Sequence, residues 1–131
     1  MFKMRLKIRE IDAKEDGRGI LAEILKSDKL KGQIKEILLI VSKPGVVRGN
    51  HYHKKKAEWL CLLKGKGKFL YVDVKTGARK EFVIDNRPTV IETPLNVVHA
   101  IKNIGKEDLY LLEISNQLYA ETPDISKKEI M

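Results

Sequence analysis

Apolar and polar residues alternate strictly at the start of the chain, with Phe2, Met4, Leu6 and Ile8 on one side and Lys3, Arg5, Lys7 and Arg9 on the other. A period of two is that of a strand, so residues 2–9 are expected to form a half-buried strand. Further strand-length apolar runs follow at 20–25, 34–41, 46–53, 58–63, 68–74, 80–84, 89–92, 97–101 and 108–115. Between them lie Asp16-Gly17, Pro44-Gly45, Gly65-Lys66-Gly67, Lys75-Thr76-Gly77, Pro94-Leu95-Asn96 and Gly105, residues suited to turns. Only 22–30 reads as a short helix, and no 3.6-residue pattern persists for a dozen positions. Turns spaced by roughly 8–12 residues predict a sandwich or barrel of many short strands, and we read the fold as an all-β jelly roll.

Composition sharpens this only a little. The 131 residues match one domain of ordinary size, so 1–131 is expected to be a single unit. The lone cysteine, Cys61, sits in the apolar run W-L-C-L-L and reads as a small buried hydrophobe in a reducing compartment. The opening residues lack the apolar stretch of a secretory signal, and no run approaches the ~18 residues of a membrane span, so the expected location is cytoplasmic, with no membrane partner. A net charge of +8 would suit an anionic partner, but the lysines are scattered among glutamates and do not mark a nucleic-acid surface. The strand around 59–63 is apolar on both faces and one barrel covers only one of them, which predicts a homodimer.

The chemistry lies in the histidines. His51 and His53 are two apart in a predicted strand, so both imidazoles project from one face. The chain has three histidines, and the third, His99, completes a larger pattern. Gly45, five residues, His51, one residue, His53, four residues, Glu58, six residues and Gly65 form its first half. Pro94-x-Asn96, two residues, His99, three residues and Asn103 form its second. Three imidazoles and a carboxylate suit a divalent metal, Zn foremost, with Fe, Mn, Ni or Co also compatible, and His51, His53, Glu58 and His99 are the expected ligands. The same positions also serve as a metal-free polar cluster.

These two segments resemble both cupin motifs, apart from Asn96 where the family usually has glycine, and asparagine tolerates the left-handed backbone required there. The resemblance implies the cupin form of the jelly roll, a double-stranded β-helix. V-V-R-G-N-H-Y-H-K and D-G-R-G-I-L-A-E resemble the dTDP-4-dehydrorhamnose 3,5-epimerase-related (RmlC-like) cupins. R-G-N-H-Y-H and E-I-S-N-Q-L-Y-A-E-T-P-D-I are closer to the cupin domain of bifunctional capsular polysaccharide synthesis enzymes. The sugar 3,4-ketoisomerases are similar around Arg48, Gly49, His51, His53 and Lys54.

The resemblance implies catalytic roles for His51 as base, His99 as second histidine and Tyr110 as acid, with Arg48, His53 and Lys54 binding substrate. The epimerases' carboxylate partner for the base, and the lysine that stabilises the enolate, have no counterpart at the matching positions. Tyr110 shares a strand face with Leu112 and Ile114 and is expected to point inward. Arg48 is three residues from His51, so it faces the barrel only if Gly49 makes a bulge; otherwise it is an exposed arginine. Lys54, Lys55 and Lys56 read either as a diphosphate clamp or as a solvated basic turn.

The implied substrate is a 4-keto nucleotide sugar, whose C3 proton a neutral histidine can remove if the enolate oxygen meets positive charge. Epimerisation at C3 in surface polysaccharide biosynthesis is the first expectation. A sugar-nucleotide 3,4-ketoisomerase, a metal-dependent cupin oxygenase or isomerase, and a non-catalytic sugar-binding cupin are the alternatives.

Overall fold

The computed structural model describes residues 4–25, 33–118 and 125–131, and these are built from strands and turns alone. The strands are β1 (Lys7–Glu10), β2 (Ala13–Asp16), β3 (Gly19–Ala22), β4 (Glu36–Ser42), β5 (Val47–Tyr52) and β6 (Glu58–Lys64). They continue as β7 (Lys66–Asp73), β8 (Arg79–Asp85), β9 (Thr89–Thr93), β10 (Val97–Asn103), β11 (Leu109–Ser115) and β12 (Ser126–Lys127). Two five-stranded sheets, ordered β1-β9-β6-β11-β4 and β12-β5-β10-β7-β8, face each other, and β2 and β3 form a separate hairpin. Apart from the consecutive pair β7–β8, strands adjacent in the two large sheets are distant in sequence, as in the double-stranded β-helix of the cupins. No helix in the described residues is long and apolar enough to cross a membrane.

The alternation within strands fixes what faces inward. Leu60 and Leu62 of β6, Leu109 and Leu111 of β11, Ile91 of β9, Phe69 and Tyr71 of β7, and Val97 and Ile101 of β10 meet in the interior cluster. Phe82 of β8 stacks on both Phe69 and Tyr71, with ring centroids 5.3 and 5.9 Å away. These aromatic rings fill one part of the barrel and leave the other to polar side chains.

The opposite face of β6 has its own cover. Cys61 is fully buried in a second cluster with Ile11, Val90 and Ile114, against which Ala22, Ile24, Leu25, Trp59, Leu63 and Leu112 pack. At about 1.5–3 kcal/mol for each large apolar side chain removed from water, Ile11, Ile24 and Leu25 suffice to hold the segment around the β2–β3 hairpin against this sheet. The two-sided apolar character of β6 is therefore answered within the chain. The helix read over 22–30 finds Ala22 in β3, while 26–30 lie outside the described residues.

Candidate functional site

Three strands bring one row of side chains to the interior. In register, His99 of β10 stands opposite His51 of β5 on one side and opposite Tyr71 of β7 on the other, so all three share the inner face. The His51 and His99 rings meet edge-on at 4.6 Å between centroids, and His53 lies 5.2 Å from His51 and 6.1 Å from His99. One nitrogen from each of the three lies within 4.8 Å of the others, a spacing that fits a single divalent ion.

Two backbone devices set this row. Gly49 (φ 98°) and Asn50 (φ 56°) take the left-handed region, and the β5–β10 register shifts there. A Cβ on Gly49 would come to 2.5 Å from the His99 carbonyl oxygen, so glycine is required for the close approach. This is the bulge expected at Gly49, and it sets Arg48 opposite the interior residue Ile101, yet the arginine side chain remains exposed. Its guanidinium donates through Nε to Ser42 Oγ at 2.8 Å and through Nη2 to the Val41 carbonyl at 3.1 Å, so it is anchored on β4. Asn96 takes φ 59°, as its place in the second motif requires, and its amide donates to the His53 carbonyl at 2.8 Å.

The facing sheet presents Glu58, whose side chain is buried. Its Oε1 lies 2.8 Å from His53 Nε2 and its Oε2 lies 3.7 Å from His99 Nε2. Burial alone would raise its pKa. Contact with His53 and the charges of His99, His53 and Lys56 outweigh that and hold the carboxyl well below the usual carboxylate range. His51 is pushed down to about 4 by burial and by His99 and His53, so it is neutral at pH 7 with a lone pair available. His99 is also shifted down, chiefly by burial.

Lys54 and Lys55 are exposed, but the reading of 54–56 as a uniformly solvated basic turn fails at Lys56. Lys56 is 3% exposed, with its ammonium 3.3 Å from Glu58 Oε1 and 3.0 Å from Glu113 Oε1. Burial opposes its charge, but Glu113 and Glu58 more than compensate and raise its pKa. Glu113, on β11, is shifted up by burial and by Glu58. The sequence held signals for both residues. Lys56 precedes Glu58 by two, and Glu113 is a lone carboxylate between Leu112 and Ile114 in an otherwise apolar strand.

Tyr110 requires a correction. It does share a face with Leu112 and Ile114, but that is the outer face, covered by the second cluster, while Leu109 and Leu111 point inward. Tyr110 is 38% exposed and is not brought to the histidines. The tyrosine beside them is Tyr71, fully buried with its ring 6.2 Å from His99 and with Thr93 near its hydroxyl.

The polysaccharide biosynthesis C-terminal domain description matches residues 14–125. Over 117 residues the chain is 31% identical to UDP-2-acetamido-2,6-beta-L-arabino-hexul-4-ose reductase of Pseudomonas aeruginosa, covering 88% of this chain and 30% of that protein. It thus spans less than a third of that relative's length. Among solved structures, a 3,4-ketoisomerase from Helicobacter canadensis superposes with TM-score 0.78 at 25% identity, over 95% of this chain and 91% of that one. ChmJ, a 3'-monoepimerase from Streptomyces bikiniensis, shares the fold with TM-score 0.81 at 20% identity, over 93% of this chain and 68% of that one. With the family's description covering most of its length and both cupin motifs converging inside its barrel, this chain belongs to the polysaccharide biosynthesis C-terminal domain family, built on an RmlC-like cupin fold.

Proposed function

We propose that this chain is a cytoplasmic isomerase that epimerises C3 of a 4-keto (deoxy)sugar nucleotide in surface polysaccharide biosynthesis, acting as a homodimer. The observation that carries the reading is the neutral His51, the least buried of three convergent histidines, set opposite a buried carboxylate and ammonium. The C3–H bond breaks toward His51, its electrons move into the C3–C4 bond, and the C4 carbonyl oxygen takes the charge. A proton delivered from water to the opposite face of C3 inverts that centre, and His51 returns the abstracted proton to solvent. His53, held against Glu58, and His99 shape the wall beside the reacting carbon, and Arg48 and Lys54 are the cations that the family resemblance assigns to the substrate.

The same three histidines fit a divalent ion, Zn foremost. When bound, such an ion supplies positive charge for the enolate oxygen. A histidine whose lone pair is committed to a metal cannot also take a proton, so His51 serves one role at a time. The ketoisomerase likeness, which spans most of both chains, supports a second reading in which the proton returns at C4 and the keto group moves to C3.

NMR of 4-keto UDP- and dTDP-sugars in deuterated water, with metal content measured beside it, tests both readings. Deuterium at C3 with an inverted centre is the expected result. A 3-keto product would select the second reading. Binding without wash-in would leave a sugar-binding module in place of an enzyme. Activity that survives chelation assigns His51 as the base, and activity lost with the metal assigns it as a ligand.

A further inference from the structure

The polar interior is not explained by three histidines and one carboxylate. It also holds an ammonium, from the connection leading into β6, that meets carboxylates on two adjacent strands of one sheet, and a buried lysine is stable only where its charge is matched. Lys56 meets that condition through Glu58 on β6 and Glu113 on β11. The oxygen of Glu58 that it approaches is the same one that His53 Nε2 approaches at 2.8 Å. A divalent ion drawing on that oxygen would sit beside the ammonium, with two cations competing for one acceptor in a poorly solvated space. The histidine nitrogens converge without needing that oxygen.

We infer that Lys56 is a resident cation that keeps Glu58 for itself, so that a metal in this barrel is held by His51, His53 and His99 alone. Glu58 then acts as a positioning residue, paired to lysine and orienting His53, and the metal keeps an additional open position. This inference rests on the three-histidine reading given above.

The test uses the full chain stripped by chelation and titrated with cobalt(II), read by calorimetry and by the visible absorption of the bound ion. Lys56→Met should bind cobalt at least tenfold tighter than the wild type and show a changed spectrum, because Glu58 is released as a further ligand. The gain should vanish in Lys56→Met with Glu58→Gln, and Lys56→Arg should resemble the wild type. Equal or weaker binding by Lys56→Met, or a gain that persists without Glu58, overturns the inference. Cobalt bound by Lys56→Met but not by the wild type overturns it, because three histidines beside a resident lysine then do not hold the ion alone. Cobalt bound by neither overturns both. If Lys56→Met fails to fold by circular dichroism, the cobalt-loaded wild-type crystal structure decides. Glu58 on Lys56 supports the inference, and Glu58 on the metal overturns it.

Discussion

Gly49 shows how much of this site depends on single backbone positions. An alanine there faces a left-handed φ and a 2.5 Å approach to the His99 carbonyl, which is main chain and cannot swing aside. Gly49→Ala should therefore cost at least about 2 kcal/mol in urea unfolding and disturb the His51–His99 row. The Tyr110 assignment changes a second expectation. Tyr110→Phe should leave deuterium wash-in within about twofold of wild type, whereas His51→Asn should reduce it by roughly 10²–10⁴-fold, the range of a lost general base. Equal losses in the two variants would return Tyr110 to the chemistry. The pH dependence follows from His51 as well. Its pKa is near 4 in the fold against an ordinary 6.5, so below pH 6.5 the unfolded chain takes up a proton that the folded chain refuses. Chelated protein should thus lose stability as pH falls from 6.5 to about 4 and gain nothing further from this group below that. The ring keeps some solvent access, so the loss is about 1–2 kcal/mol. Urea midpoints across that range, flattened in His51→Asn, would check it. The histidines were legible because strand parity and motif spacing agree. Lys56 was signalled only by its place two residues before Glu58, because its location depends on carboxylates from two strands, one of them 57 positions away.

At the scale of elements, the pattern of alternation located most strands to within a few residues, since inward and outward positions differ in chemistry along each of them. It could not say which face was inward where both are apolar. β6 and β11 are of that kind, and the error at Tyr110 came from there. The two-residue strand β12 left no periodic signal either. Its importance comes from Asn50, whose side-chain oxygen accepts from the amides of Ile130 and Met131 at 2.9 and 3.1 Å. The Asn50 amide group donates to the Met131 carbonyl at 3.2 Å. Lys128 adds an amide bond to the Asn50 carbonyl at 2.8 Å, so residues 126–131 strap the strand that carries His51. Asn50→Ala loses the side-chain bonds and puts a Cβ-bearing residue without local hydrogen bonding at φ 56°, an expected cost of about 2–4 kcal/mol. Asn50→Gly relieves the backbone term alone and should fall between the wild type and alanine. If the two variants were equally unstable, the strap bonds and not the backbone would account for the loss.

For the whole molecule, the expectation of a homodimer stands on a different surface from the one that first motivated it. The outer face of β6 is occupied by the chain's own Ile11, Ile24 and Leu25, so it offers nothing to a second copy. β4 lies at the edge of its sheet, and its outward positions Ile37 and Leu39 are 59% and 62% exposed, with Val41 beside them in the same row. Ile20 and Leu21 of the hairpin are also open. An edge strand with an apolar outer row is an invitation to pairing that folded proteins normally blunt with charge or cover with another element. Among the described residues β4 carries neither on that face, although lysine is abundant elsewhere in a chain of net charge +8. A symmetric pair of such edges would bury the row on both copies and leave the histidines, on the opposite sheet, unobstructed. Sedimentation at micromolar concentration should therefore show a dimer, and Leu39→Lys, which sets a charge in the middle of the row, should shift it to monomer by tenfold or more in dissociation constant without altering the circular dichroism of the strands. A wild-type monomer would overturn the dimer, and a Leu39→Lys variant that dimerises as before would move the interface away from β4.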